Sequence, residues 1–131
     1  MKSFVEQLRA MLKTEPREGG FRSVFQVDKD FALFPDHFPQ LPILPGICIA
    51  QAVLMSAAQA VDVPVLRLCI FKRAKLMQPI RPGDAIEIKA DMSRLEDGTY
   101  SVKATLLSKG TRCAEISLIA RQTSENAEAA T

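Results

Sequence analysis

The stretch from Phe38 to Val61 carries no Asp, Glu, Lys or Arg. It limits what the rest of the chain can be. Pro39, Pro42, Pro45 and Gly46 break its first third. What remains, from about Ile47 to Val61, is about 15 residues, short of the roughly 20 that a membrane span needs. Ile, Ala, Val, Leu and Met occupy every side of this segment, and only Gln51, Ser56 and Gln59 are polar. A helix that is apolar all round must be wrapped by other structure. Asp62-Val63-Pro64 ends it.

The wrapping is predicted to be β-sheet. Phe21 to Val27 reads as a strand, with Phe21, Phe25 and Val27 on one face. Val65 to Met77 is a long strand candidate. Ala85 to Ser93 alternates, with Ile86, Ile88, Ala90 and Met92 facing one way and Glu87, Lys89 and Asp91 the other. Asp97-Gly98 signals a hairpin. Thr99 to Ser108 alternates again through Tyr100, Val102, Ala104 and Leu106. After Lys109-Gly110, Thr111 to Arg121 places Ala114, Ile116, Leu118 and Ala120 on one face.

Ahead of the strands, Ser3-Phe4-Val5-Glu6 reads as a capping box. It opens a helix with Phe4, Val5, Leu8, Met11 and Leu12 on one face, ended by Pro16 and Gly19-Gly20. Phe31 to Leu44, dense in Phe and Pro, reads as an ordered loop. The expected fold is α+β: an antiparallel sheet of about five strands around one apolar helix, with a small helix at one end. A length of 131 residues suits one domain, residues 1–121, with a frayed polar tail over 122–131.

Composition removes several functions. There are 17 basic against 15 acidic residues, no Trp and one Tyr, so neither a basic stripe nor a base-stacking platform is present and no nucleic-acid partner is expected. Cys48, Cys69 and Cys113 are far apart, form no CxxC pair and share the chain with one His. No metal site or disulfide framework is expected, and no cofactor. Three thiols packed as small hydrophobes fit a reducing compartment. Lys2, Glu6 and Arg9 interrupt any signal-peptide run, so the expected location is cytoplasmic, with no membrane partner.

Four features could carry chemistry. His37, the one histidine, is either a structural imidazole bonded to a backbone carbonyl or a general base facing an apolar tunnel. Pro45-Gly46 is either loop punctuation or a place where a ligand carbonyl approaches free helix N–H groups. Gln51 is either a satisfied core amide or a polar group aimed into a site. Lys72, Arg73, Lys75 and Arg81 form either a solvated face or a docking patch for an acidic partner.

The run Phe34-Pro35-Asp36-His37-Phe38-Pro39-Gln40-Leu41-Pro42-Ile43-Leu44-Pro45-Gly46 resembles the signature of the hotdog-fold 3-hydroxyacyl-[acyl-carrier-protein] dehydratases, the FabZ/FabA group. That signature is a Phe-rich approach, His-Phe-Pro, two variable residues, Pro, two apolar residues, then Pro-Gly and the central helix. Phe71-Lys72-Arg73-Ala74-Lys75-Leu76 and Pro79-Ile80-Arg81-Pro82-Gly83-Asp84 resemble the family's downstream motifs. The similarity covers about Phe21 to Arg121.

The resemblance implies a hotdog fold and a homodimer whose sheets join edge to edge, with active sites at the interface. Some members assemble further into hexamers, as trimers of dimers. It implies a 3-hydroxyacyl thioester carried by acyl carrier protein, converted to a trans-2-enoyl thioester in fatty-acid or related acyl biosynthesis. His37 matches the catalytic histidine, and Gly46 the glycine whose N–H polarises the thioester carbonyl. Phe38, Leu44, Pro45, Met55 and Phe71 are expected to line the acyl tunnel. Lys72, Arg73, Lys75 and Arg81 are expected to receive the carrier protein.

One position departs from the pattern. Five residues after the glycine, the family has Glu or Asp, and here stands Gln51. An amide can orient a hydroxyl but cannot exchange its proton as a carboxyl does. Three readings follow: a dehydratase in which His37 makes both proton transfers, a non-catalytic partner subunit of a heteromeric dehydratase, and a hotdog acyl thioesterase. A lesser departure is Asp36, where the family often has Gly; it is also a candidate substitute acid.

Overall fold

The computed structural model describes residues 4–27, 46–81 and 83–123. Ser3 of the capping box, the Phe31–Leu44 loop with His37, and the tail from residue 124 lie outside them. Helix α1 is Phe4–Met11. Strands β1 (Lys13–Arg17) and β2 (Gly20–Gln26) follow. Helix α2 is Gly46–Ala60, and β3 (Leu66–Leu76), β4 (Ala85–Arg94), β5 (Tyr100–Ser108) and β6 (Thr111–Gln122) complete the order.

The strands form one antiparallel sheet in the order β1-β2-β4-β5-β6-β3. Most of the alternating positions that the sequence assigns inward are buried, while Ala90, Met92 and Tyr100 are half-buried against the same core. Phe21, Phe25, Ile86, Ile88, Val102, Ala104, Leu106, Ala114, Ile116, Leu118 and Ala120 leave solvent together with ten residues of α2. Their partners Glu87, Lys89, Lys103 and Glu115 stay on the outer side. A sheet with one polar and one apolar face curls its apolar face around an apolar helix, because both elements remove that surface from water at once.

The sheet has six strands where five are expected. Pro16 does not end a helix; it lies in β1, paired with Phe21. Proline lacks an N–H, which is tolerated on an edge strand that needs no further partner on that side. The helix ends earlier, at Met11, with Leu8 and Leu12 buried and Val5 and Met11 half-buried. At the other end of the core, α2 closes with Asp62 at φ +55, Val63 N–H bonding to the Ala58 carbonyl at 3.0 Å and Asp62 N–H to that of Gln59 at 3.2 Å. This double bond satisfies carbonyls that a helix end leaves open. Tight turns join the late strands. Lys109 and Gly110 both have positive φ, +51 and +79, matching the twist of a two-residue hairpin between β5 and β6.

β3 is the other edge of the sheet among the described residues, and it is irregular. Its register against β6 shifts between Leu68 and Ile70 and again between Phe71 and Arg73, so Cys69 and Lys72 are the extra residues of two bulges. Nearly all of the strand is exposed. Cys69 is therefore on the surface, whereas Cys48 and Cys113 pack into the core as expected.

Candidate active site

Gly46 is the first residue of α2, where backbone N–H groups have no intrahelical acceptor and the helix dipole is positive. A Cβ at this position would lie 3.4 Å from Leu76 Cδ1, so the last residue of β3 stands directly over the helix start. Leu76 is 57% exposed and Ile47 is 73% exposed. The apolar helix predicted to be wrapped on every side thus surfaces at its N-terminus, beside the open edge of the sheet. Cys48, one residue further on, is buried, and burial pushes its thiol up. It stays protonated and is no nucleophile at this helix end.

Gln51 is half-buried one turn along. It lines a cavity of about 190 Å³ with Arg9, Leu54, Met55, Ala58 and Leu66 among others. The structure therefore brings together Gln51 and Met55, two of the predicted site residues, on one stripe of α2. Arg9, from α1, joins them. The sequence gives little sign of Arg9's position, because it falls next to Leu8 on a short helix and reads as a solvated charge. Larger hollows, of about 480, 490 and 260 Å³, lie elsewhere. The first crosses the outer face of the sheet among charged side chains, and none of the three contains Gly46, Gln51 or Met55. Gly46 does not line the smaller cavity either, which runs from Gln51 along α2 toward its C-terminal end and on to Leu66.

Phe71 lies on the helix-facing side of β3 and is 41% exposed, at the open edge. Arg73 and Lys75 point to the opposite side, in register with Ser117 and Glu115, and Lys72 sits at a bulge. All three are exposed. Arg81 is exposed on the connection to β4, where its backbone N–H donates to Asp84 Oδ2 at 2.8 Å. Arg73 shares the outer groove with Arg17, Lys89 and Lys103, three basic groups that the sequence reading leaves out. Asp91 and Glu115 line the same groove, so its charge is mixed. His37, Phe38, Leu44 and Pro45 lie outside the described residues. No helix among the described residues is long and apolar enough to cross a membrane.

Known proteins are similar to this chain in sequence or in fold. The family model of the ApeI dehydratase, ApeI-like, matches residues 13–115. The 3-hydroxyacyl-[acyl-carrier-protein] dehydratase FabZ of Latilactobacillus sakei is 35% identical over 96 residues, covering 67% of this chain and 69% of that protein. The FabZ of Chlamydia muridarum is 32% identical over 68 residues, covering 46% of this chain. The chain spans 44% of that relative's length. Among solved structures, the dehydratase heterocomplex ApeI:P from Xenorhabdus doucetiae superposes with a TM-score of 0.65 at 20% identity, over 84% of this chain and 95% of the other. The (R)-hydratase from A. caviae involved in PHA biosynthesis gives 0.64 at 12% identity, over 86% and 96%. These likenesses carry the fold, the hotdog arrangement of a sheet around its central helix. Together with the family match over more than half of its length, they establish that the chain belongs to the ApeI-like family of dehydratases.

Proposed function

We propose that the protein removes water from a 3-hydroxyacyl thioester to give a trans-2-enoyl thioester, working on an acyl carrier protein as a dimer. The observation that carries this reading is the start of α2 at Gly46, with Leu76 over it, on the same helix whose Gln51 and Met55 line a cavity. In the proposed step His37 takes the α-proton, and the C–H electron pair forms the new double bond as the C3–O bond breaks. Negative charge developing on the thioester oxygen is met by N–H groups at the helix start, where fixed donors need no reorganisation. The imidazolium returns its proton to the leaving hydroxyl, which departs as water. Gln51 orients that hydroxyl by hydrogen bonding and supplies no proton. The edge of β3, whose Leu76 stands beside Gly46, is the side on which a second chain completes the site. Lys72, Arg73, Lys75 and Arg81 offer exposed positive charge to an acidic carrier protein.

A second reading is favoured by Gln51 itself and by the fold shared with a dehydratase heterocomplex. In it the chain is the carboxylate-free partner of a heteromeric enzyme. One experiment separates the two. Purified protein is assayed for dehydration of short and medium 3-hydroxyacyl carrier-protein thioesters, alone and beside His37→Ala and Gln51→Glu. The enzyme reading expects turnover by the unmodified chain and a loss of about 10²–10⁴-fold in His37→Ala. Turnover by Gln51→Glu alone supports the partner reading. Release of free carrier thiol without dehydration overturns both in favour of a thioesterase.

A further inference from the structure

Beyond Gln51, the same cavity changes character along α2. Leu54, Met55, Ala58 and Leu66 form its apolar wall, and Arg9 and Gln59 bring polar groups to it. Gln51 and Gln59 are eight residues apart, about 12 Å along a helix. Gln59 is held by a hydrogen-bond chain with a definite direction. Thr14 Oγ1 donates to Gln59 Oε1 at 2.6 Å, and Thr14 Oγ1 lies 2.8 Å from the hydroxyl of Ser23, which is fully buried. A hydroxyl has one proton to give. Thr14 spends its proton on Gln59, so Ser23 donates to Thr14. The carbonyl oxygen of Gln59 is thereby engaged, and its NH₂ is left to donate. A guanidinium has donors only, and Arg9 forms no ion pair among the described residues. Both side chains are exposed, so at this end the cavity opens to solvent past two groups that offer donors.

We infer that the cavity is a subsite for an acyl chain whose far end carries a hydrogen-bond acceptor, a carboxylate above all, received by Arg9 and the Gln59 amide. This rests on the acyl-thioester reading of the site and adds its substrate class. A plain methyl end gives these donors no partner and leaves them to water. A carboxylate accepts from both and forms the stronger, charge-assisted bonds.

The test is equilibrium binding, which needs no turnover. Calorimetry compares S-acyl pantetheine thioesters of matched length ending in methyl or in carboxylate, across short to long chains, on the unmodified protein, Arg9→Met and Gln59→Glu. The carboxylate-ended ligand is expected to bind about tenfold more tightly than its methyl-ended match. That preference should appear only once the chain is long enough to span the distance from Gln51 to Gln59. Arg9→Met should remove most of it without weakening the methyl-ended ligand. Gln59→Glu, which replaces donors by a negative acceptor, should invert it. Equal affinities in the unmodified protein, or a preference that survives Arg9→Met, overturn the subsite while leaving acyl binding intact. Binding of neither ligand overturns the acyl-thioester reading and the subsite with it.

Discussion

At the scale of single residues, two glycines that look alike in the sequence do different work. A Cβ at Gly20 would run into the Ala90 carbonyl of the neighbouring strand, where only backbone movement makes room. Gly20→Ala is expected to cost about 1–3 kcal/mol, the usual range for overpacking, read as a lower urea midpoint. A Cβ at Gly46 meets only the tip of the Leu76 side chain. Gly46→Ala should therefore keep the urea midpoint of the unmodified protein. On the proposed mechanism it should still lower dehydration, because the methyl group would stand where the thioester carbonyl approaches the helix N–H groups. A loss of stability in Gly46→Ala equal to that of Gly20→Ala would remove the special role of this position. The sequence shows Gly46 through its place after a proline and before an apolar helix. It shows nothing of Gly20's neighbour, since the strand that crowds it lies some seventy positions away and is brought alongside only by pairing. Gln51 is legible as a departure from a motif, yet its cavity is not, because Arg9 and Leu66 reach it from two other elements.

Elements were legible where burial imposes a period. β4, β5 and β6 alternate cleanly because one face packs on α2, and their bounds match the expected ones closely. β1 escaped because Lys13–Arg17 is an exposed edge with no apolar alternation, so Pro16 read as a helix stop. The β4–β5 turn behaves as Asp97-Gly98 suggests, with Gly98 at φ +86. Asp97 Oδ1 accepts from the Thr99 hydroxyl at 2.6 Å and from its backbone N–H at 3.0 Å. These bonds, the hydroxyl first, hold the Asp97 carboxyl below its usual value. The unfolded chain then binds more protons here than the folded one, so stability rises with pH across the window and is lost as pH falls through the folded value. Thermal melts of the unmodified protein should drop on acidification below about pH 4, the ordinary range of Asp. Asp97→Ala should flatten that part of the curve while lowering the plateau above it. An unchanged acid limb would detach the turn from acid stability.

At the scale of the whole molecule, the unbalanced feature is the edge formed by β3. Ile70 is 53% exposed, and Leu68, Phe71, Leu76 and Ile47 share the same border. Apolar side chains along a strand edge that no other described strand pairs form the kind of surface on which a further strand can dock. Light scattering should report a dimer, and Ile70→Lys combined with Phe71→Glu should shift it to monomer with loss of dehydration. Cys69 gives a local readout of the same event. Its thiol should react with an alkylating reagent quickly in the double variant and slowly in the dimer, while Cys48 and Cys113, both buried, react in neither until the chain unfolds. A monomeric unmodified protein with a fast Cys69 would exclude pairing along this edge. The two bulges at Cys69 and Lys72 carry a consequence of their own. They break the even spacing of N–H and C=O groups along the strand, and its outer rim inherits that break. A straight foreign strand can zip only as far as the first irregularity, whereas a chain with the same notches can run the full length. In a cell that makes several chains of this architecture, assembly would be sorted by backbone spacing before any side chain is read, and mixed complexes would form only between chains cut to the same key.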